Sequence, residues 1–153
     1  GVVTVCAWKY RRSPGAEFSA GPGRTVLQPG EVVTSVRLVR GPSGRNSGYY
    51  KVGKRQAMAI AVASLAALVT PEKNGRRQIR LACGSVGPTV MTAPAIESFL
   101  ADRSFTEENL RQAGALVSEF VQPIDDLRAS AGYRRQLAAN LLLRLAADFD
   151  AGE

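Results

Sequence analysis

The rhythm of apolar positions changes near Thr92: before it they tend to alternate, after it they recur every third or fourth residue. Residues 2–9, rich in β-branched side chains, predict a strand. The stretch from Tyr10 to Pro29, with its Gly21-Pro22-Gly23 triplet, reads as connector. Pro29-Gly30-Glu31 then makes a turn into a second strand over 32–39. There Val32, Thr34, Val36 and Leu38 take one face, and Val33, Ser35 and Arg37 the other. The Gly/Ser/Arg-rich segment 41–48 is an exposed loop that delivers the chain to Tyr49.

Residues 57–68 are ambiguous. Alanines at 57, 59, 61 and 63 favour a helix by propensity. The Asn74-Gly75 pair and the alternation of Ile79, Leu81 and Cys83 instead favour a β-hairpin. We expect a short helical turn near 55–59, then an antiparallel hairpin of 60–70 with 77–87, bent at its end by Gly84 to Pro88. Beyond Thr92 the chain predicts three helices. Pro94 suits a first helical position, with Ile96, Phe99 and Leu100 on one face. Thr106 is an N-cap, followed by the dipole-complementing Glu107 and Glu108 and the stripe Leu110, Ala113, Val117, Phe120 and Val121. Pro123 stops that helix. Ser130 caps the last one, where Leu137, Leu141, Leu142, Leu145 and Phe149 keep helical spacing. Strands first and helices after predict an α+β fold, an antiparallel sheet of three to four strands covered on one side by about three helices.

Composition adds exclusions. The 153 residues, 45% hydrophobic and 22% charged, suffice to bury a core. No apolar run reaches the roughly 18 residues of a membrane span. The strand-like opening Gly1-Val2-Val3-Thr4-Val5, without an initiator Met, reads as the continuation of a longer polypeptide. With no histidine, the usual neutral-pH base and the commonest metal ligand are missing, and Ser-His-Asp or Cys-His catalysis is excluded. Cys6 and Cys83 lie far apart in apolar runs, which fits reduced thiols in a cytoplasmic protein and neither a zinc nor an iron–sulfur site. Asp125 and Asp126, beside Arg128, read as pairing or capping residues. Tyr133 reads as a packing residue and Arg134-Arg135 as partners of acidic groups.

The net charge of +7 is uneven: residues 1–56 carry +8, residues 57–93 carry +3 and residues 94–153 carry −4. The densest positive stretch is Tyr49-Tyr50-Lys51-Val52-Gly53-Lys54-Arg55. Aromatic rings can cover a flat ligand's face while an ammonium takes a phosphate or an electron-rich carbonyl. The same residues can equally form an idle basic surface. They also permit a nucleic-acid-binding α+β module, with Trp8, Tyr10 and Tyr49-Tyr50 stacking on bases and Lys54-Arg55 on phosphate.

Four motifs occur in one order: Gly21-Pro22-Gly23-Arg24-Thr25-Val26-Leu27-x-Pro29-Gly30-Glu31; Tyr49-x-Lys51-x-Gly53-x-Arg55; Gly84-x-Val86-Gly87-Pro88-Thr89; and Asp126-x-Arg128-Ala129-Ser130-Ala131-x-Tyr133-Arg134-Arg135. Together they resemble the C-terminal half of the FAD-binding medium subunit of molybdenum hydroxylases, the xanthine dehydrogenase and carbon monoxide dehydrogenase flavoprotein family, over residues 18–150. The resemblance implies an oxidoreductase component that forms one wall of an FAD pocket and helps electrons pass between an iron–sulfur cluster and the flavin. Its partners would be a molybdopterin-binding large subunit and an iron–sulfur small subunit. Residues 1–20 would end a preceding FAD-binding domain, and 21–153 would form the C-terminal domain. By likeness, Lys51 approaches the flavin ring, Tyr49 lies near it and Val33 offers an apolar contact. The family's Gly-rich pyrophosphate segments have no counterpart here, so the chain alone is expected to bind FAD weakly and to be inactive.

Overall fold

The computed structural model describes residues 2–6, 9–38, 46–55, 59–72 and 76–149. The chain divides into two units, Gly1–Pro42 and Ser43–Glu153.

In the first unit, β1 (Val2–Cys6) pairs antiparallel with β2 (Tyr10–Pro14). A four-residue helix, α1 (Gly15–Phe18), leads to the small hairpin of β3 (Ser19–Gly21) and β4 (Arg24–Thr25), and β5 (Val32–Arg37) follows. The sheet order is β2-β1-β5, with Val3 and Val5 of the central strand buried. The stretch expected to be connector thus carries structure. Tyr10–Pro14 serves as an edge strand, where a terminal Pro is tolerated, and Gly23 at φ +65° turns the hairpin. Arg11 fixes this stretch by donating to both oxygens of the Glu31 carboxylate and to the Val26 carbonyl. Trp8 lies outside the described residues.

In the second unit, β6 (Asn46–Gly53), β7 (Ala61–Pro71), β8 (Arg77–Gly84) and β9 (Met91–Thr92) form one antiparallel sheet in that order. The ambiguous alanine-rich stretch is therefore a strand from Ala61 onward. Pairing on both sides, with β6 and β8, outweighs alanine's helix propensity. The expected helical turn near 55–59 falls largely on residues 56–58, outside the described residues, as does the Asn74-Gly75 turn.

Four helices follow: α2 (Pro94–Ala101), α3 (Glu107–Phe120), α4 (Ala131–Leu141) and α5 (Arg144–Phe149). They pack on the sheet face formed by Leu65, Ala67 and Val69 of β7 and Ile79, Leu81 and Cys83 of β8, all buried. Leu100, Phe105, Leu110, Val117, Leu142 and Leu145 fill the layer between. Burial raises the Cys83 thiol to about 11, so it stays protonated at neutral pH.

The helix starts follow the sequence. Thr106 accepts from the Asn109 N–H, Ser130 accepts from the Tyr133 N–H, and Pro94 opens α2. Three expectations are corrected. Phe120 is 37% exposed and lies off the buried stripe, because α3 ends there and the backbone turns extended at Val121. Tyr133 is 49% exposed; the buried member of its triplet is Arg134. The last helix breaks at Leu142-Leu143, redirecting α5 so that Asp148 accepts a hydrogen bond from the Tyr50 hydroxyl on β6. Among the described residues no helix is long and apolar enough to cross a membrane.

β9 covers β8 only at Ala82 and Cys83. Just beyond it, the Glu97 carboxylate on α2, itself 6% exposed, accepts the Leu81 N–H at 2.8 Å and pairs with Arg80. A side chain thus continues the strand edge where β9 stops.

Candidate functional site

Strand geometry places Tyr49 and Lys51 together. Two residues apart on β6, they share a sheet face and their Cα atoms lie about 7 Å apart. The burial alternation of β6 confirms the face: Tyr49 and Lys51 are exposed, whereas Tyr50 and Val52 between and beyond them are half-buried against the core. The helices therefore occupy one side of the sheet, and Tyr49 and Lys51 the other.

The register identifies what lies beside them. Tyr49 pairs with Ala66, which pairs with Ala82; Lys51 pairs with Ser64, which pairs with Gly84. Directly opposed residues share a face, so the ring and the ammonium border a floor of four small residues. A Cβ at Gly84 would sit 2.5 Å from the Ser64 hydroxyl oxygen, so the Ser64 side chain would have to turn aside. Lys51 Nζ donates to the Ala59 carbonyl at 3.2 Å, which aims the ammonium and leaves further N–H bonds for a ligand. Beyond Gly53, Lys54 donates to the Leu127 carbonyl at 3.0 Å. Lys54, Arg55 and Arg128 surround an apolar hollow of about 290 Å³ floored by Ala59 and Ile60.

The strand carrying Lys51 is well held. On its core side the Tyr50 ring lies over Gly48, and the Tyr50–Asp148 bond ties β6 to α5. Burial, then the Asp148 bond, push the Tyr50 hydroxyl far above its ordinary value, so it remains a donor.

The motif around Asp126 is an architectural clamp. Arg134, 5% exposed, donates through Nη1 to the carbonyls of Val62 (2.7 Å) and Ser85 (2.9 Å), and through Nη2 to Asp126 (2.6 Å). Asp126 also accepts the N–H groups of Arg128 and Ala129, while Asp125 accepts that of Ala131 at the start of α4. The Arg134 bond first, then the Arg128 N–H, hold the Asp126 carboxyl far below the usual carboxylate range. Both aspartates pair or cap, as their sequence context indicates.

Val33 lies on β5 in the first unit and is 44% exposed. Sequence reasoning missed the floor of Ser64, Ala66, Ala82 and Gly84. Small residues at alternate positions were visible, but their alignment across strands needs the register. No cluster of three or more metal-ligating side chains occurs among the described residues.

The donor set suits the edge of a planar, electron-accepting ring above a floor free of bulky groups. The residues around the sheet face are therefore compatible with a flavin's ring system; a pyrophosphate needs a cradle of backbone N–H groups in addition.

Residues 48–149 match the family described as the CO dehydrogenase flavoprotein C-terminal domain. The chain is 28% identical over 134 residues to the carbon monoxide dehydrogenase medium chain of Hydrogenophaga pseudoflava, covering 88% of this chain and 46% of that one. It is 27% identical over 140 residues to xanthine dehydrogenase of Emericella nidulans, covering 89% of this chain and 10% of that one. Among solved structures, carbon monoxide dehydrogenase from Hydrogenophaga pseudoflava superposes with a TM-score of 0.84 at 28% identity, covering 97% of this chain and 52% of that one. Quinoline 2-oxidoreductase from Pseudomonas putida 86 shares the fold, with a TM-score of 0.82 at 23% identity, covering 95% of this chain and 50% of that one. The chain spans about half the length of the medium chain it matches.

Proposed function

This chain belongs to the CO dehydrogenase flavoprotein C-terminal domain family, and we propose that it forms one wall of an FAD pocket in a molybdenum-hydroxylase-type oxidoreductase. The observation that carries this reading is the shared face of Tyr49 and Lys51 beside the floor of Ser64, Ala66, Ala82 and Gly84. FAD, when bound, supplies reversible electron acceptance. Lys51 places a positive charge, aimed by the Ala59 carbonyl, near the part of the ring that gains negative charge on reduction. Tyr49 covers the ring and limits water there. Polypeptide corresponding to the other half of the relatives' medium chain holds the pyrophosphate. By this reading the molybdopterin and the iron–sulfur clusters would reside in large and small partner subunits, and the flavin would exchange electrons with the iron–sulfur subunit.

The test compares the 153-residue chain alone with the same chain in its assembled flavoprotein. The chain alone should lose FAD on gel filtration, and in the assembly Lys51→Ala should lower the flavin reduction potential. Stoichiometric flavin retained by the chain alone, or a potential indifferent to both Lys51→Ala and Tyr49→Ala, would sink the reading.

A further inference from the structure

We propose that the Ser64 hydroxyl is a ligand-binding group that, with the Lys51 ammonium, reads the cyclic-imide edge of a planar ring; the inference rests on the flavin-wall reading above and adds to it a residue and a selectivity. Ser64 sits mid-face, paired with Lys51 on β6 and with Gly84 on β8. It is 9% exposed and joins Glu97 and Arg134 as the buried polar or charged side chains described in the second unit. The other two are engaged, Glu97 by Arg80 and the Leu81 N–H, Arg134 by two carbonyls and Asp126. The Ser64 hydroxyl has no hydrogen-bond partner among the described residues. Buried polar groups are nearly always bonded, so an unpartnered hydroxyl on a ligand face marks a place for a ligand atom.

The glycine opposite shows where the hydroxyl stands. A Cβ on Gly84 would come 2.5 Å from the Ser64 oxygen but 3.9 Å from the Ser64 Cβ. The oxygen therefore leans over β8, into room that a side chain on that strand would fill. Lys51 rises on the opposite flank, with its Nζ steered by the Ala59 carbonyl. The row thus offers an ammonium on one side and a hydroxyl on the other. The ammonium only donates, whereas the hydroxyl both donates and accepts. Their strands lie about 4.8 Å from one another, so the pair can reach the two carbonyl oxygens that flank the N–H of a cyclic imide. The next row, Tyr49, Ala66 and Ala82, sets a ring beside two methyl groups. A polar ring edge is matched to the Ser64 row, and an apolar ring body to the Tyr49 row.

The test uses the assembled flavoprotein and compares wild type with Ser64→Ala for affinity and for stability. Ser64→Ala should weaken FAD about fivefold, the scale of one net hydrogen bond. Its urea midpoint should stay at the wild-type value, because no described bond within the protein is lost. FAD analogues carrying sulfur in place of one or the other imide oxygen then locate the contact. With one analogue the fivefold gap should close, since sulfur is a poor acceptor, and with the other it should persist. Unchanged FAD affinity in Ser64→Ala, while Lys51→Ala still shifts the flavin potential, would overturn this inference and leave the pocket reading standing. A lowered urea midpoint would make the hydroxyl structural, and an undiminished gap with both analogues would remove the imide contact; either overturns it. Indifference of the flavin to Lys51→Ala, Tyr49→Ala and Ser64→Ala alike would sink both readings together.

Discussion

Replacing Arg134 should cost the second unit more stability than replacing any other charged residue described in it. Arg134→Met keeps most of the aliphatic stem, so the lost quantity is the hydrogen bonding. The Val62 and Ser85 carbonyls lose donors at 2.7 and 2.9 Å. A bond from a charged donor contributes roughly 1.5–3 kcal/mol, and two such losses give about 3–6 kcal/mol. The Asp126 partner is 28% exposed and keeps two backbone N–H donors, so water compensates much of its loss. Against this, the Arg134 Nε is buried without a hydrogen-bond partner, and removing it returns about 1–2 kcal/mol. The net expectation is about 3 kcal/mol, large beside the ~5–15 kcal/mol of a whole domain. Urea unfolding followed through amide exchange in β7 and β8 should show the midpoint falling by roughly 1–2 M with the slope unchanged. Arg134→Lys should recover only part of the loss, since an ammonium cannot reproduce the planar fork. A loss under about 1 kcal/mol in Arg134→Met would refute the clamp, because ordinary surface substitutions already span about half that.

Other consequences follow from the same geometry. The Asp126 carboxyl is held far below its unfolded value, so its contribution is fully present above pH ~3.9 and is lost as pH falls from there through the much lower folded value; the stability gap between wild type and Asp126→Asn should therefore stay constant from about pH 7 to about pH 5 and narrow progressively below about pH 4, as measured by urea midpoints. Gly114→Leu should separate α3 from α4, because even a Cβ there lies 3.2 Å from the Ala139 carbonyl oxygen; a thermal-melt loss of about 1–3 kcal/mol is expected. Gly48→Ala should cost more than Tyr50→Phe: the new Cβ would lie 2.6 Å from the Tyr50 hydroxyl oxygen and displace the ring as well as its Asp148 bond, and chemical denaturation ranks the two. In the assembled flavoprotein, Lys51→Ala should lower the two-electron potential by about 20–40 mV, equivalent to about 1–2 kcal/mol of lost stabilisation of the reduced ring, as read by spectroelectrochemistry.

The helical half was legible because its signals are local. Thr106, Ser130 and Pro94 announce helix starts through chemistry acting within three residues, and each occupies the expected place. The break at Leu142-Leu143 was not legible, because the leucine spacing continues through it and the bond that α5 then makes, from Tyr50 on β6 to Asp148, spans distant parts of the chain. The same holds at Ala61–Pro71. Its helix propensity is real, but the strand is enforced by partners on both flanks that no window around the alanines contains. In the first unit, Tyr10–Pro14 was hidden by the Pro and Gly that follow it, although pairing with β1 needs only five residues.

The candidate site divides along the same line. Tyr49 and Lys51 could be paired from sequence because a strand repeats every two residues, so a Tyr-x-Lys spacing fixes their common face once β6 is granted. The direction of that face could not be fixed, since it depends on where the helices settle, and the small floor depends on two registers at once. This makes the floor a sharper discriminator of function than the basic cluster. An idle cationic surface places no demand on the size of Ser64, Ala66, Ala82 or Gly84, whereas a flat ring bordered by Tyr49 and Lys51 requires all four to stay small. Ala66 and Ala82 are both half-buried and oppose one another across β7 and β8, so Ala66→Phe or Ala82→Phe would add bulk on that face. If the face carries a flavin, either substitution should displace the cofactor from the assembled flavoprotein while amide exchange in β7 and β8 stays close to wild type. Retention of full flavin occupancy by both variants would separate Lys51 and Tyr49 from the cofactor and return them to the basic surface.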